Sequence, residues 1–389
     1  MIEFKKKIAV FFMAVALITT AISCLQKIRN NVFSDEEIKP TEIINYNQNE
    51  KTSRGVIEGT NKEIPIVNLS RNISFVDVDV KDMHKQDIYI PYGKGYRYGP
   101  SIIRDEDGLI NIWMSSPGNS STEWDYIRYI NGYDREDWSG EEVVLRPTKY
   151  SQDQCSTCDP GVIFFNGYYY LGYTSTADQD RGGTNNHIFV ARSEYPDGPF
   201  EKWNGEGWGG DPEPIIRYEQ DPNYYGIGEI TFVIKDDTLH MYFSEYVDHV
   251  CCLSHAVADL SENWPSTIHD HKVIMNPRDP DSVDAVYVED MNLFLLFSIE
   301  HDSRADSRLM VLESVDGVNF AETTYDEFEI EPYAHSLGVE KDKNGHIRTG
   351  EFLFIGYAYG DEWAEWSTKL QIVRVNNTYK RYLKFLNNL

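Results

Sequence analysis

Positive charge is scarce in this chain. Its 389 residues carry 36 lysines and arginines against 63 aspartates and glutamates, a formal net charge of −27. A surface of that sign repels phosphate backbones, so nucleic acid is excluded as a partner. The acids form no localised run, which argues for a self-repelling exported surface rather than a dock for a cationic protein. A sustained helical period is also missing, and the chain reads as all-β. Cysteine is sparse, with five in all. Cys155 and Cys158, with the adjacent Cys251 and Cys252, do not form the two separated pairs that zinc sites use. In an exported chain a disulfide is expected instead, joining Cys155 or Cys158 to Cys251 or Cys252.

The apolar run at residues 8–18 is too short and too early to be a plain membrane span. Lys5, Lys6 and Lys7 precede it, as in an export signal. The segment closes on Ala21-Ile22-Ser23-Cys24, which resembles the bacterial lipobox, in which Cys24 becomes the lipidated N-terminus. The expected location is the cell envelope, with membrane contact only through the anchor; ordinary cleavage nearby would give a secreted protein. Buried acyl methylenes contribute about 0.8 kcal/mol each, so several chains hold stably. Residues 25–64 are polar and aperiodic, a flexible tether. The folded domain is expected over residues 65–389, as a monomer.

What fills that domain is a repeated hairpin. In CDPGVIFFNGYYYLGYTST, residues 158–176, Asp-Pro opens a short apolar strand, Asn166-Gly167 turns, and an aromatic strand returns. The plan recurs as YGPSII with INIWMSS, GEITFVI with TLHMYFSE, VDAVYV with NLFLLFSI, and AHSLGV with EFLFIGYAYG. Starts roughly 50 to 70 residues apart fit the four-stranded blades of a propeller. The fold class is therefore a five-bladed β-propeller. Residues 72–80 (NISFVDVDV) alternate apolar and polar and are expected to close the ring as an outer strand of the last blade. EPIIRY (residues 213–218) and FEIEPY (residues 328–333) are read as the outer strands of blades II and IV. Superposing the inner strands places Gly99, Asp159, Glu229, Asp284 and His335 at one level, around one axial pocket.

Asp-Pro opening an inner strand, NGYYYLGYTST behind it, GPFEKW after VARS, and Gly228-Glu229 opening blade III resemble the five-bladed propeller glycoside hydrolases, notably family 43 and relatives that cleave xylosides and arabinosides. The resemblance covers about residues 72–375. It implies that Glu229 is the general acid and that Asp159 orients it and tunes its pKa. It also implies that His335 is a central imidazole ordering a calcium or water cluster, although the chain shows no dedicated calcium loop. The family's first-blade base would stand at Gly99, which offers no proton acceptor. Asp284 is the substitute candidate, with Glu123 and Asp125 behind it.

The chemistry stands beside the resemblance. Glycoside hydrolysis needs one carboxyl protonated and one ionised, and like charges in one pocket divide the roles that way. Trp124, Trp208, Tyr225 and Trp363 fall in loop-like stretches where flat rings can stack on sugars, and Arg181 can hold a hydroxyl or carboxylate. The expected partner is therefore a carbohydrate, a pentose-containing or related glycan, with no cofactor required. The alternative is a glycan-binding propeller that has lost its chemistry with the Gly99 carboxylate. A phosphorylase ranks third, because the inner strand starts carry no cation.

Overall fold

The computed structural model describes residues 74–91, 95–133, 137–275, 282–323 and 330–378. The segments read as export signal and tether, with Cys24, and the last eleven residues lie outside them. The described part is a five-bladed β-propeller. Blade I holds the strands Tyr98–Arg104, Ile110–Ser120, Glu123–Gly132 and Glu142–Leu145, and blade II holds Cys158–Phe165, Tyr168–Ser175, His187–Ser193 and Glu201–Lys202. Blade III is Ile227–Lys235, Thr238–Val247, Val250–Asp259 and His269–Met275; blade IV is Val283–Val288, Leu293–Glu300, Arg308–Ser314 and Ala321–Glu322. Blade V takes Ala334–Lys341, Phe352–Tyr359 and Ser367–Asn377 from the chain's end and Val76–Tyr89 from its beginning.

Ring closure follows from where the apolar side chains go. Five buried clusters each join one pair of neighbouring blades. Ile102, Ile112 and Met114 of blade I meet Phe354 and Leu370 of blade V, and Val286 and Phe297 of blade IV meet Val339 and Val373 of blade V. An open stack of five blades would have four interfaces; the fifth closes it. The inner strands touch at the axis because glycine removes the Cβ there. A Cβ on Gly161 would lie 1.9 Å from the Ile230 carbonyl oxygen, and one on Gly338 would lie 1.7 Å from that of Pro100.

The closing strand forms as expected but later in the chain: Val76 pairs with Asn377, and the ladder runs on to Tyr89. Glu313 of blade IV anchors its start, accepting the Phe75 N–H at 3.0 Å and the Val76 N–H at 3.3 Å.

Two outer strands differ from the sequence reading. Blade II ends on Glu201–Lys202, and Ile216 makes only an isolated bridge to Ile188. Blade IV ends on Ala321–Glu322; of FEIEPY, Phe328 and Glu329 lie outside the described residues. In both cases a shorter segment directly after the third strand reaches the edge first, at less loop-closure cost. The expected disulfide is not formed: Cys155, Cys158, Cys251 and Cys252 are not bridged to one another.

One end of the axis is capped by the blade V hairpin turn. Its Lys343 carbonyl accepts from Phe164 N of blade II, its Asn344 carbonyl from Ile234 N of blade III, and its Gly345 carbonyl from Tyr287 N of blade IV, at 2.9, 2.9 and 3.0 Å. Lys343 pairs with Asp105 of blade I at 3.1 Å. Deeper in the axis, Asp284 accepts from Thr231 Oγ1 at 2.5 Å and from Val339 N at 2.7 Å, and it pairs with buried Lys341. A ring tied across five blades in this way opens at its other end.

Two buried histidines of blade III tie stability to pH. His240 Nδ1 lies 3.1 Å from His255 Nε2, and burial pushes their pKa values down to about 4 and about 3. The unfolded chain takes up these protons first, near the ordinary histidine value of about 6.5. Stability is therefore full above that value and is lost as pH falls from there through about 4 towards 3. Denaturant midpoints measured between pH 7.5 and 4 should fall by the equivalent of a few kcal/mol. Replacing both histidines by glutamine should make the fall shallower, leaving the share of His187, which burial also pushes down to about 4.

Candidate active site

The pocket end of each inner strand begins with a residue in the left-handed backbone region. These are Gly99 (φ 57°), Asp159 (51°), Glu229 (57°), Ser282 (44°) and Ser336 (45°). All five line one axial hollow. The hollow is narrow, about 30 Å³, room for a water molecule. Left-handed backbone costs a residue with a Cβ on the order of 1 kcal/mol or more, and such strain concentrates at working sites.

This register corrects the sequence superposition at two places. Asp284 lies two residues past the strand start, level with Ser101, Gly161 and Thr231 rather than with Asp159. His335 lies one residue before it, level with Cys158 and Gly228. The pairing skips between Cys158 and Gly161, between Gly228 and Thr231, and between His335 and Leu337, and those irregularities shift the level without a mark in the hydrophobic pattern. Asp284 lines the hollow at that deeper level and is held there by Thr231 and Lys341 on Oδ1 and by Val339 N on Oδ2, the bonding of an axial strut.

Asp159 and Glu229 are held by one device repeated from blade to blade. A hydroxyl on the second strand of one blade accepts the backbone N–H at the next blade's strand start. Ser115 takes Asp159 N at 2.8 Å, Thr174 takes Glu229 N at 2.9 Å, and Ser244 takes Ser282 N at 3.3 Å. At the fourth interface Asp302 takes Ser336 N at 3.3 Å. At the fifth, Ala358 stands opposite His335 as Thr174 stands opposite Cys158, and it has no oxygen to offer Gly99. The missing hydroxyl and the missing carboxylate belong to the same interface.

Around the two acids the electrostatics are uneven. Asp159 receives the Cys158 thiol and the Tyr225 hydroxyl on Oδ2, each at 3.3 Å. Burial raises its pKa, against the hydrogen bonds it receives and the charge of nearby His335. Glu229 Oε2 accepts from Ser244 Oγ at 2.5 Å and from Ser282 N at 3.0 Å, which fixes the plane of the carboxyl. The buried Tyr225 hydroxyl is held un-ionised, by burial first and then by the fields of Glu229 and Asp159. Both acids line the one hollow. Asp125, bonded to the Tyr96 hydroxyl and at 2.9 Å to Ser156 Oγ, is pushed up to about 6 by burial.

The blade V side of the mouth is aromatic. His335 packs on Trp366 with ring centres 4.7 Å apart and lies 5.6 Å from Tyr98. Asp302 holds its Nδ1 at 2.9 Å. Trp363 stands edge-on to Trp366 at 4.7 Å and is 76% exposed, a platform open to a ligand. Of the other sequence candidates, Tyr225 is in the site. Trp124 opens the third strand of blade I at the pocket end, its indole N–H on Ser121 O at 2.8 Å. Arg181 is spent on Asp178 at 2.9 Å and Asn223 at 3.4 Å. Glu123 accepts the Tyr126 hydroxyl.

Trp208 lies elsewhere. It packs on Trp203 at 5.2 Å and under Arg192, and its N–H reaches Glu262 O at the far end of blade III. Its glycine-rich neighbourhood is an outer hairpin, where the ring seals two blades. Sequence reasoning missed Asp302, Tyr98 and Trp366. The available signal was the hydroxyl ending each return strand, in WMSS, GYTS and YFSE, which marks the next blade's start.

No three carboxylate, imidazole or thiol ligand atoms among the described residues converge at the axial hollow. Among the described residues, the set that brings three ligand atoms together is Glu289, Asp342 and His346, at the capped end. There both nitrogens of His346 face oxygens, Glu289 Oε1 at 3.0 Å and the Ile234 carbonyl at 2.5 Å, so the ring is a strut. At the axis, Asp302 holds His335 by Nδ1.

The chain has the fold of the five-bladed propeller glycoside hydrolases. No protein-family model matches it, and no curated protein matches it in sequence. Among solved structures it is similar to a family 117 glycoside hydrolase of the marine bacterium Zobellia galactanivorans, with TM-score 0.58 and 16% identity over 78% of this chain and 91% of that one. An α-L-arabinofuranosidase of Podospora anserina, solved with cellotriose, matches with TM-score 0.53 and 12% identity over 75% and 95%. The catalytic domain of a family 62 α-L-arabinofuranosidase of Coprinopsis cinerea matches with TM-score 0.54 and 13% identity over 74% and 95%.

Proposed function

We propose that the protein hydrolyses a glycosidic bond of a pentose-containing or related glycan at the axial pocket. The observation that carries this reading is the pair Asp159 and Glu229. They occupy equivalent strained strand starts on adjacent blades and line one hollow, with the Tyr225 hydroxyl on Asp159. In this reading Glu229 gives its proton to the leaving oxygen. Asp159 orients it and tunes its acidity, and Trp363 carries a sugar ring. Asp284 is withdrawn as base. Water activation falls to His335, whose ring is oriented by Asp302 as a carboxylate orients a working imidazole. The arabinofuranosidases sharing the fold support the pentose class. An exported, lipid-anchored location through Cys24 suits an enzyme that meets polymers outside the cell.

A second reading, a glycan-binding protein without turnover, is favoured by the joint loss at Gly99 and Ala358. The two are separated by Gly99→Asp. The backbone already has the φ of Asp159, and a Cβ on Gly99 would find its nearest atom at 3.7 Å, so the carboxylate fits. A general base is worth about 10²–10⁴-fold. The expected result is that wild type releases sugar from arabino- or xylo-oligosaccharides and that Gly99→Asp changes the rate by less than about tenfold, within what one redundant base adds. Product from Gly99→Asp alone would establish the binding reading.

A further inference from the structure

A second concavity of about 500 Å³ lies at the open end of the propeller, away from the axial hollow, and no role above uses it. Its walls come from two connections that both return to the pocket end. One leads from blade I into blade II and brings Gln152 and Gln154; the other joins the second and third strands of blade II and brings Asp178, Gln179 and Asn185. His187, at the start of that third strand, completes the wall.

The lining is polar throughout. Four carboxamides, Gln152, Gln154, Gln179 and Asn185, stand with the carboxylates Asp178 and Asp180 and with His187, and Ala177 is its one apolar side chain. Arg181 neutralises Asp178 at 2.9 Å. His187 Nδ1 accepts the Tyr218 N–H at 3.0 Å, and burial pushes its pKa down to about 4. The ring is therefore neutral near pH 7 with its proton on Nε2, a donor without charge. Gln154 donates to Ala177 O at 2.9 Å, which fixes the side chain and turns its amide oxygen to acceptance. Amide donors and acceptors beside the Asp180 carboxylate, without apolar walls, suit vicinal hydroxyls, which both donate and accept. They do not suit an anion, which needs cations, or a lipid or apolar peptide.

The groove is tied by short paths to the axial acids. Asn185 and Asn186 donate their N–H groups to the Tyr224 and Tyr225 carbonyls, each at 2.9 Å, and the Tyr225 hydroxyl reaches Asp159. Cys155, next to Gln154, donates to Thr176 O at 3.1 Å, two residues past the Thr174 that holds Glu229. Volumes of about 300–1,000 Å³ are those of small-molecule sites.

We propose that this carboxamide groove is a second carbohydrate subsite, holding the extension of an oligosaccharide whose reacting sugar sits over Asp159 and Glu229. The inference rests on the carbohydrate reading of the axial pocket and adds that the substrate is a chain. The test uses the full chain, a series of arabino- and xylo-oligosaccharides of one to five units, and the double variant Gln154→Ala with Gln179→Ala. Wild-type kcat/KM should rise at least tenfold from two units to four. The double variant should keep the two-unit rate and lose the rise. A flat series in wild type, or an unchanged rise in the variant, overturns the subsite and leaves the axial reading standing. Calorimetry with the same sugars, in a Glu229→Gln background, covers the case without turnover. There the axial reading of hydrolysis fails, while equal affinity of the two proteins for the four-unit sugar overturns the groove and weaker binding by the double variant upholds it.

Discussion

Replacing Glu229 by glutamine is expected to lower turnover of an unactivated pentoside by about 10²–10⁴-fold, the usual worth of a general acid. The exchange is nearly isosteric. Ser244 Oγ and Ser282 N, which hold Oε2 at 2.5 and 3.0 Å, can bond the amide oxygen, so the fold and sugar affinity should persist. What is lost is the proton for the leaving oxygen. The loss should shrink on aryl glycosides with acidic phenols, because such leaving groups depart without protonation. A uniform loss across leaving groups would instead describe a binding defect, and undiminished turnover would remove Glu229 from the chemistry.

The second large effect is structural. Lys341 Nζ meets Asp284, Thr231 Oγ1 at 3.2 Å and the Ala285 carbonyl at 3.1 Å, on side chains almost wholly buried. Lys341→Met removes the cation and leaves a carboxylate buried without its counter-charge. Breaking one half of such a pair costs about 3–5 kcal/mol, whereas replacing both halves by apolar groups is often neutral. Chemical denaturation should therefore show a severe loss for Lys341→Met and recovery in the double variant with Asp284→Leu. If Lys341→Met were as stable as wild type, Asp284 would not be the axial strut described here.

Much of the architecture is legible in the hairpins themselves. Asn166-Gly167 and Asp342 to His346 are turn sequences, the apolar runs before and after them are inner strands, and five such units make five blades. The acids Asp159 and Glu229 are legible because each opens a run. Levels within the ring are less so. Asp284 and His335 were displaced by two residues and by one, because the skips in pairing sit at the strand starts and leave no trace in apolar periodicity. Trp208 and Trp363 look alike in sequence, each beside glycine or acidic residues, yet one closes a blade and the other faces solvent. What separates them is the end of the propeller to which each connection returns. Asp302 could not be found from its own neighbours, since its role comes from His335, 33 residues away.

The most direct measurement is product analysis by chromatography of arabino- and xylo-oligosaccharides incubated with the wild-type chain and with Asp159→Asn, at equal sugar occupancy established by calorimetry. The account predicts released sugar from wild type and at least a hundredfold less from Asp159→Asn, as loss of a group that tunes the acid requires. Binding by both proteins with no product from either, or equal product from both, would contradict it.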